Sequence, residues 1–486
     1  MTDRDFTRDR QVAAVRTPEP PRGPQDAGAL SESLGRLAAL LGWSREGRGP
    51  FGGAIPRGAR VVVKPNWVIH ENRGPWGLEP LVTDPMLIRA VVAGVLAAGP
   101  SRVIVGDAPL QGCDFERLLR DTALDRWAAD LRAREPRFGG VQDFRRTTCA
   151  FRYGVRMARE DQIPEADFVL FDLGAESLLE PITDARGSFR VTQYDPRELR
   201  KTHAHGRHRY LVARAIVEAD VVVNVPKLKT HCKAGITGAL KNLVGINGNK
   251  EFLPHHRVGG SHHGGDCYPG GSVLKRAIEV ALDQSNLARA PGPRAFAWSA
   301  TGDVLGRILQ RMGDEIGVEG AWSGNDTVWR MCLDLNRVLH YGRPDGTLAE
   351  TPQRRVLHVV DAIVAGQGDG PLAPEPLSLG LLLGGGNPAA VDWVGAHLLS
   401  YDPRRVPLAR EAFGRFRWPI AAFESDEVRL IGDLEDGADS LAGALGAAQA
   451  VKHPPGWRDS AAAWCARQTV AGGRRRPGAT PGTERR

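Results

Sequence analysis

Short apolar runs alternate with helical patterns through most of the chain. Residues 60–64 (RVVVK) and 102–106 (RVIVG) are continuously apolar at their centres, which is typical of strands that are buried on both faces. Between them, residues 84–98 have helical spacing, with Asp84 placed as the N-cap and Pro85 as the first helical residue. A strand, a helix and a strand at this spacing form a βαβ unit, so we predict a parallel sheet here.

The same patterns continue towards residue 407. They predict strands at 168–172, 220–224, 356–361 and 377–383, and helices at 210–218, 235–243, 327–340 and 388–399. We therefore expect an α/β fold, built from a mostly parallel sheet with helices on both faces and long inserted loops.

Composition divides the chain into a core and flanking segments. We predict a polar, Pro-rich disordered tail at 1–25, an α/β core at 26–407 with an insert at about 287–325, a C-terminal extension packed on the core at 408–471, and a basic disordered tail at 472–486. The insert is placed where the alternation of strands and helices is interrupted.

Hydropathy and cysteine usage predict the compartment. No run of 18 apolar residues is present and the first residues are charged, so we expect neither a membrane partner nor a secretory signal. The six cysteines form no CxxC pair, which predicts neither a disulfide framework nor an iron–sulfur cluster. These patterns favour a cytoplasmic protein.

Lysine is rare in this chain and concentrated in one segment. The formal net charge is +7, and only nine of the 64 basic residues are Lys. Residues 215–256 contain no Arg but five Lys: Lys227, Lys229, Lys233, Lys241 and Lys250. An ammonium is compact and its pKa can be lowered by burial, whereas a guanidinium stays charged. The absence of Arg therefore indicates that this segment requires amines rather than guanidinium groups. Its positive charge is confined to one segment instead of being spread along a face, which argues against a nucleic-acid partner.

Polar residues follow several of the predicted strands. Lys64 and Asn66 follow the first, Asp107 the second and Asn224 a later one, while 361–370 carries Asp361 and Asp369. In open α/β sheets ligands bind beyond the carboxyl ends of the strands, so we expect these side chains to meet at one edge.

The segment 226–256 predicts a site for a carboxylate or a phosphate. Lys227 and Lys229 alternate in an extended stretch and project to one side. Thr237 and Lys241 are expected to share a helix face, with free N–H groups of that helix near 234–237. The predicted catalytic residues are His231, Lys229 and Lys241, with His231 as proton carrier because its ordinary pKa lies near neutrality. The predicted substrate-binding residues are Lys64, Asn66, Lys227 and Asn242.

Eight of the 13 histidines lie between His203 and His263, and some of these predict a metal site. The preferred ligands are His255, His256 and Asp266, with Asp107 and Asp369 as alternatives. Imidazole mixed with carboxylate suits iron or zinc. An oxygen-only set of Asp107, Asp361 and Asp369 would instead suit Mg²⁺. A role for the HAHGRH segment at 203–208 stays open.

Five strings resemble one known family. They are VVVKPNWV, GDAP, ADVVVNVPKLKTH with the later TGALKNLVG, DAIVAGQGDGP and NPAAVDWV, the last of which contains Asp392. In this order they are similar to the domain-of-unknown-function family 362, over about residues 60–407. Some members of that family carry ferredoxin-type clusters, but the CxxC runs that would hold them are missing here. The layout is also similar to the nickel-pincer lactate racemase architecture, from which no residue is transferred.

We expect a metal-dependent cytoplasmic enzyme that acts on a small anionic metabolite. An iron-dependent oxidoreductase, a lyase and an isomerase all fit this expectation. The alternatives are a Mg²⁺-dependent phosphoryl-transfer enzyme, and a non-catalytic carrier of an anionic cofactor or an iron–sulfur-linked redox partner. Substrate identity and the formation of a homo-oligomer stay open.

Overall fold

The computed structural model describes residues 5–17, 27–157, 160–161, 163–288, 292–434 and 451–460. The strands are β1 Gln11–Arg16, β2 Arg60–Pro65, β3 Arg102–Asp107, β4 Phe138–Asp143, β5 Thr147–Thr148, β6 Phe151–Arg152, β7 Val155–Arg156, β8 Glu160–Asp161, β9 Phe168–Asp172, β10 Phe189–Arg190, β11 His203–Ala204, β12 Arg207–Ala213, β13 Val221–Val225, β14 Lys227–His231, β15 Gly235–Thr237, β16 His256–Arg257, β17 Arg355–Asp369, β18 Ala373–Gly385 and β19 Arg429–Gly432.

The helices are α1 Ala27–Leu40, α2 Pro85–Ala97, α3 Phe115–Asp121, α4 Leu124–Arg134, α5 Pro196–Thr202, α6 Arg214–Val217, α7 Ala239–Asn242, α8 Val273–Leu287, α9 Pro293–Arg311, α10 Val328–Tyr341, α11 Pro388–Leu398 and α12 Pro407–Glu411. Asp84 caps α2 as predicted, since its carboxylate accepts from the amides of Met86 and Leu87. Within the described residues, no helix is long and apolar enough to cross a bilayer.

A large mixed sheet organises the molecule. Its strand order is β19-β1-β18-β17-β13-β2-β3-β4, and β14 with β15 extends it beside β17. The pairs from β17 through β13, β2 and β3 to β4 are parallel, whereas β18 runs antiparallel to β17 and to β1. The predicted α/β class with a mostly parallel sheet is confirmed.

Alternate residues of the central strands feed two separate cores. Val61 and Val63 pack with α1 and α2 on one face, whereas Val62 packs with α10 and α11 on the other. This division follows from the period of two in a strand, and it explains why the strands are apolar throughout.

Two predicted helices are partly strands. Residues 210–213 of the predicted helix 210–218 belong to β12, which pairs with β9 in a separate three-stranded sheet. Residues 235–237, inside the predicted helix 235–243, form β15, which pairs with β14. Only α6 and α7 remain helical. A short apolar run is compatible with a buried helix or with a strand. Pairing with β9 makes one segment a strand, and pairing with β14 does the same for the other.

The glycine-rich segment after Asp361 is part of a long strand rather than a loop. Strand β17 continues to Asp369 and forms a hairpin with β18, with a shift of register between Ala362 and Val364. Asp361 therefore lies within the sheet, and Asp369 is the last residue of β17.

The prediction of a disordered tail at 1–25 is wrong for residues 5–17. Strand β1 lies between β18 and β19 inside the sheet, and Val12 through Val15 are fully buried. Four apolar residues among polar neighbours give too weak a pattern to identify a strand whose partners lie more than 360 residues away. The predicted tail 472–486 lies outside the described residues.

The predicted insert 287–325 contains α9, which packs on α8. The two helices form a small core of their own with Cys267 and Tyr268, separate from the two cores of the sheet.

Candidate functional site

The carboxyl ends of β2, β3 and β13 bring the predicted polar residues together around Lys64. The Lys64 ammonium is fully buried and contacts Asp107 Oδ1 at 2.8 Å, the carbonyl of Pro65 at 3.0 Å and Asn242 Oδ1 at 3.2 Å. Asn242 Oδ1 also accepts from Asn66 Nδ2 at 3.0 Å. All three donors of the ammonium are therefore used inside the protein.

Both carboxylate oxygens of Asp107 also accept hydrogen bonds inside the protein. Its Oδ1 accepts from Lys64 and from the amide of Ala108 at 2.9 Å, and its Oδ2 accepts from the amide of Trp67 at 2.7 Å. Burial raises the pKa of Asp107, while Lys64 acts to lower it.

A second internal ion pair joins β14 to β17. The Lys227 ammonium lies 2.6 Å from Asp361 Oδ2 and donates to the carbonyl of Val364 at 3.0 Å. Asp361 also accepts from the amides of Asp84 and Ile363. The polar groups of Lys64, Asn242 and Lys227, predicted to bind substrate, are thus turned towards the protein, and they form a framework beneath the site.

Three buried amines, Lys229, Lys241 and Lys250, have no carboxylate within ion-pair distance among the described residues, and we call them the amine cluster. Lys229 donates to the carbonyl of Leu81 and Lys250 to that of Ala108 at 3.0 Å. Among the described residues, Lys241 has no hydrogen-bond or ion-pair partner. Burial lowers the pKa of each amine, that of Lys250 to about 7. Lys241 adds to the lowering of the pKa of Lys229 and of Lys250, whereas the Asp107 carboxylate acts to raise both pKa values. Lys241 is therefore an electrostatic neighbour of both amines.

The hydrogen bonds of His231 favour a donor at Nε2, whereas the predicted proton carrier needs an acceptor there. Its Nδ1 accepts from the backbone amides of Lys233 at 3.0 Å and of Ala234 at 3.3 Å. The neutral ring therefore carries its proton on Nε2, which makes Nε2 a donor rather than a base. Burial, followed by Lys241 and His255, lowers the pKa of His231 well below its usual range.

His255 has the complementary tautomer. Its Nδ1 lies 2.7 Å from the carbonyl of Leu253, which can only accept, so Nδ1 carries the proton. Its Nε2 is left as an acceptor and has no partner among the described residues. Burial and Lys241 lower the pKa of His255 as well. The charge of Lys241 thus acts on both rings, of which His231 offers a donor and His255 an acceptor.

Strand β15 adds a hydroxyl on the face of Lys229. Thr237 lies opposite Lys229 in the antiparallel pair, and its buried Oγ1 has no partner among the described residues. The predicted sharing of a helix face by Thr237 and Lys241 is wrong, since Thr237 lies in a strand.

The predicted free helix N-terminus is also wrong. The first amides of α7, from Ala239 and Leu240, donate to the Asp392 carboxylate at 2.5 and 3.0 Å. The positive end of this short helix is therefore capped by the protein itself, and it is not open to an anion.

The predicted metal ligands do not converge. Asp266 is used by the amides of Arg257 and Asp326 and by the hydroxyl of Thr327. Asp369 is exposed at the end of β17, and His256 lies on β16, its buried Nδ1 without a partner. Within the described part of the chain, no group of three or more His, Cys, Asp or Glu side chains is arranged to hold a metal. The oxygen-only set also fails to meet, because Asp107 and Asp361 form separate ion pairs.

Sequence reasoning missed several residues that shape the site. In the sequence Asp392 stands out only as part of the NPAAVDWV string, but burial raises its pKa to about 7 and it caps α7. Nothing in the local sequence points to Trp457, whose indole N–H donates to the carbonyl of Cys232 at 2.7 Å. The lysine bias does point to Lys250, but nothing in the local sequence shows that it is buried.

The chain matches one family model and is similar to one curated relative over most of its length. A family model described as Domain of unknown function (DUF362) matches residues 61–170 and 174–397. A thylakoid-associated protein of Synechocystis sp. is 23% identical over 391 residues, which cover 80% of this chain and 76% of that protein.

Two solved structures have a distant likeness. A Thermotoga maritima protein from a structural genomics consortium is 12% identical with a TM-score of 0.29, covering 72% of this chain and 54% of its own. The lactate racemase apoprotein from Thermoanaerobacterium thermosaccharolyticum is 11% identical with a TM-score of 0.29, covering 82% and 59%. This chain thus matches less than two thirds of either structure, and neither likeness bears on the chemistry of the site.

Proposed function

The chain belongs to the family described as Domain of unknown function (DUF362), and from that premise we propose that it is an enzyme acting on a small anionic metabolite, a carboxylate or a phosphate, held at Lys241. The observation that carries this proposal is the amine cluster, in which three buried amines lack a carboxylate partner.

A buried ammonium costs free energy unless a negative group compensates it. Lys64 pairs with Asp107 and Lys227 pairs with Asp361, but in the described part of the chain no carboxylate contacts the amine cluster. An anionic ligand would supply the missing charge and would favour protonated amines when bound. The site is therefore suited to take up an anion together with protons.

The two histidine tautomers suggest how the reaction proceeds. The His231 Nε2–H group would donate a hydrogen bond to an oxygen of the bound anion and stabilise charge that develops there. The His255 Nε2 atom would accept a proton from the carbon next to the carboxylate or carbonyl of the substrate. Isomerases and lyases abstract protons in this way. We propose that this enzyme works in the cytoplasm.

Metal dependence remains a separate prediction. The described donor groups do not form a metal site, and no step here passes through a metal. Elemental analysis of protein purified without chelator tests it: an equimolar amount of iron or zinc would support the predicted imidazole ligands, and His256→Ala should then lower the metal content. Retained magnesium instead would favour the phosphoryl-transfer alternative.

Anion binding is tested by thermal unfolding of the full chain in increasing inorganic phosphate or oxalate. We expect the Tm to rise with anion concentration, because the anion binds the folded state only. Lys241→Met, which keeps the length of the side chain and removes its charge, should weaken binding roughly tenfold to a hundredfold.

Lys201→Met is the matched control, because Lys201 lies on α5 with an exposed side chain that pairs with Glu198. It should bind anions as the wild type does. Equal binding by Lys241→Met and the wild type, or equal loss in both variants, would contradict the proposal.

Catalysis is tested by NMR in deuterated water with short 2-hydroxy and 2-keto acids. We expect deuterium to enter the carbon next to the carboxylate or carbonyl with the wild type and with Lys201→Met, and to do so at least about a hundredfold more slowly with His255→Gln. Anion binding without any exchange would favour the carrier alternative over the enzyme.

A further inference from the structure

Exposed hydrophobic side chains are concentrated on the packed helix pair α8 and α9. Nine large hydrophobic side chains are exposed among the described residues, and five of them lie on α8 and α9 or directly after α9: Val273, Val280, Val304, Ile308 and Met312. Scattered exposed apolar residues are ordinary on a protein surface, but such clustering marks an interaction site.

Helix α9 carries a second apolar stripe that nothing covers among the described residues. Val304, Ile308 and Met312 are spaced by four, so they lie on one side of the helix, and they are 53%, 41% and 72% exposed. The buried residues Gly302 and Leu309 belong to the opposite side, which packs on α8. This helix is therefore apolar both towards the protein and towards solvent.

Uncompensated positive charge flanks the stripe. Arg294, Arg307 and Arg311 are exposed, and none forms an ion pair with another described residue. The helix carries a single acidic residue, Asp303. Its solvent side thus combines aliphatic side chains with net positive charge, which complements a negatively charged partner.

An exposed aromatic residue lies beside this helix. Tyr153 is 74% exposed in the turn between β6 and β7, and its carbonyl accepts from Ser299 Oγ at 2.8 Å. Its ring meets Phe296 edge-on at 6.5 Å, and Arg152 lies over it at 5.4 Å. Tyrosine combines an apolar ring with a polar tip, a combination suited to the boundary between lipid and water.

We propose that the solvent side of α9, together with Tyr153, docks on the surface of an anionic lipid bilayer. A helix with an apolar stripe and flanking arginines lies in the plane of the interface, with the stripe among the acyl chains and the arginines at the headgroups. The sequence-based expectation of no membrane partner rested on the lack of a spanning segment, and a helix lying in the interface needs none.

The test is co-sedimentation of the full chain with vesicles of phosphatidylcholine alone or with an equal amount of phosphatidylglycerol. We expect binding to the anionic vesicles only, weakened by salt. The double variant V304E/I308E should bind at least about tenfold more weakly, and R307Q/R311Q about thirtyfold more weakly. Leu170→Glu changes an exposed leucine on β9, outside α8, α9 and the Tyr153 turn, and should bind as the wild type does.

Two outcomes would overturn the proposal. In one, the wild type stays in the supernatant with both vesicle compositions, or V304E/I308E sediments as the wild type does. In the other, analytical ultracentrifugation finds a wild-type dimer that V304E/I308E converts to a monomer without any vesicle binding, which would assign the surface to a second copy. Circular dichroism of each variant checks that it is folded.

Discussion

At the scale of single residues, the Lys64–Asp107 pair depends on a glycine that covers it. A Cβ atom at Gly245 would lie 1.9 Å from Asp107 Oδ1 and 2.8 Å from Lys64 Nζ. The amide of Ala108 also donates to the carbonyl of Gly245, so the chain cannot move away without breaking that bond. The absence of a side chain is therefore what allows the ion pair to be sealed from water.

Gly245→Ala is expected to lower the free energy of unfolding by about 1–3 kcal/mol or more, because the added methyl group overlaps the buried pair. Urea denaturation measures the effect. Gly306→Ala is the control, since no heavy atom lies within 4 Å of its Cβ and it lies inside α9, where alanine should be neutral or stabilise by up to about 1 kcal/mol. An alanine at 245 that is tolerated as well as one at 306 would show that the pair is loosely covered.

The amine of Lys250 should make stability depend on pH. Burial lowers its pKa from 10.5 to about 7 in the folded protein, so between these values the unfolded chain binds the extra proton. The free energy of unfolding should therefore rise from pH 7 towards pH 10, by at most about 1.4 kcal/mol for each pH unit, and this contribution is lost as the pH falls through 7.

Lys250→Met provides the comparison, because it keeps the length of the side chain without a titrating group. The difference in unfolding free energy between wild type and variant, measured by urea denaturation from pH 6 to 9, should grow in favour of the wild type above pH 7. A difference that stays constant over this range would mean that the Lys250 amine is not desolvated.

At the scale of elements, the β14–β15 hairpin presents both Lys229 and His231. The segment 451–460 packs against the turn of this hairpin: Trp457 is 1% exposed and donates to the carbonyl of Cys232. A Cβ at Gly235, which has a φ of 82°, would lie 2.9 Å from the Trp457 ring. Trp457 is therefore a positioning residue for the turn that fixes the His231 tautomer.

Replacing Trp457 separates its two roles. Trp457→Phe removes the N–H donor and should cost about 1 kcal/mol of unfolding free energy, whereas Trp457→Ala also leaves a cavity and should cost about 3–5 kcal/mol. Both should weaken the binding of phosphate, because the turn at His231 loosens. Trp76→Phe, at a site 46% exposed, should change neither unfolding in urea nor phosphate binding. If Trp457→Phe unfolds in urea and binds phosphate as the wild type does, the turn after His231 does not depend on the hydrogen bond from Trp457.

Element prediction succeeded where a segment carries its own start and stop signals. Helix α2 was predicted from Asp84, Pro85 and its apolar spacing, and the structure begins it at Pro85. Strands β12 and β15 were predicted as helices, because neither segment carries a local signal that distinguishes it from a short buried helix. Their strand character arises from pairing with β9 and with β14.

At the scale of the whole molecule, the first and the last described strands, β1 and β19, complete one side of the large sheet. Strand β1 pairs antiparallel with β18 and parallel with β19, so residues 11–16 and 429–432 close one side of a sheet that is otherwise built from residues 60–385. Neither strand falls within the matched family segments at 61–170 and 174–397. One edge of the sheet, at β19, is thus supplied from outside the matched segments, whereas the other, at β4, lies within them.

The α/β class, the βαβ unit around α2 and the concentration of lysine between residues 215 and 256 follow from the amino-acid sequence alone, because each is a property of local pattern or composition. It also predicted that Lys64, Asp107 and Asn224 would meet, since parallel strands end at one edge of a sheet. Tertiary structure alone decided which amines are paired, which nitrogen of each histidine carries the proton, that Asp392 caps α7, and that Asp266 binds the segment before α10. These outcomes depend on contacts between segments far apart in the chain, and a hydrogen-bond partner or a desolvated charge exists only once those segments have packed.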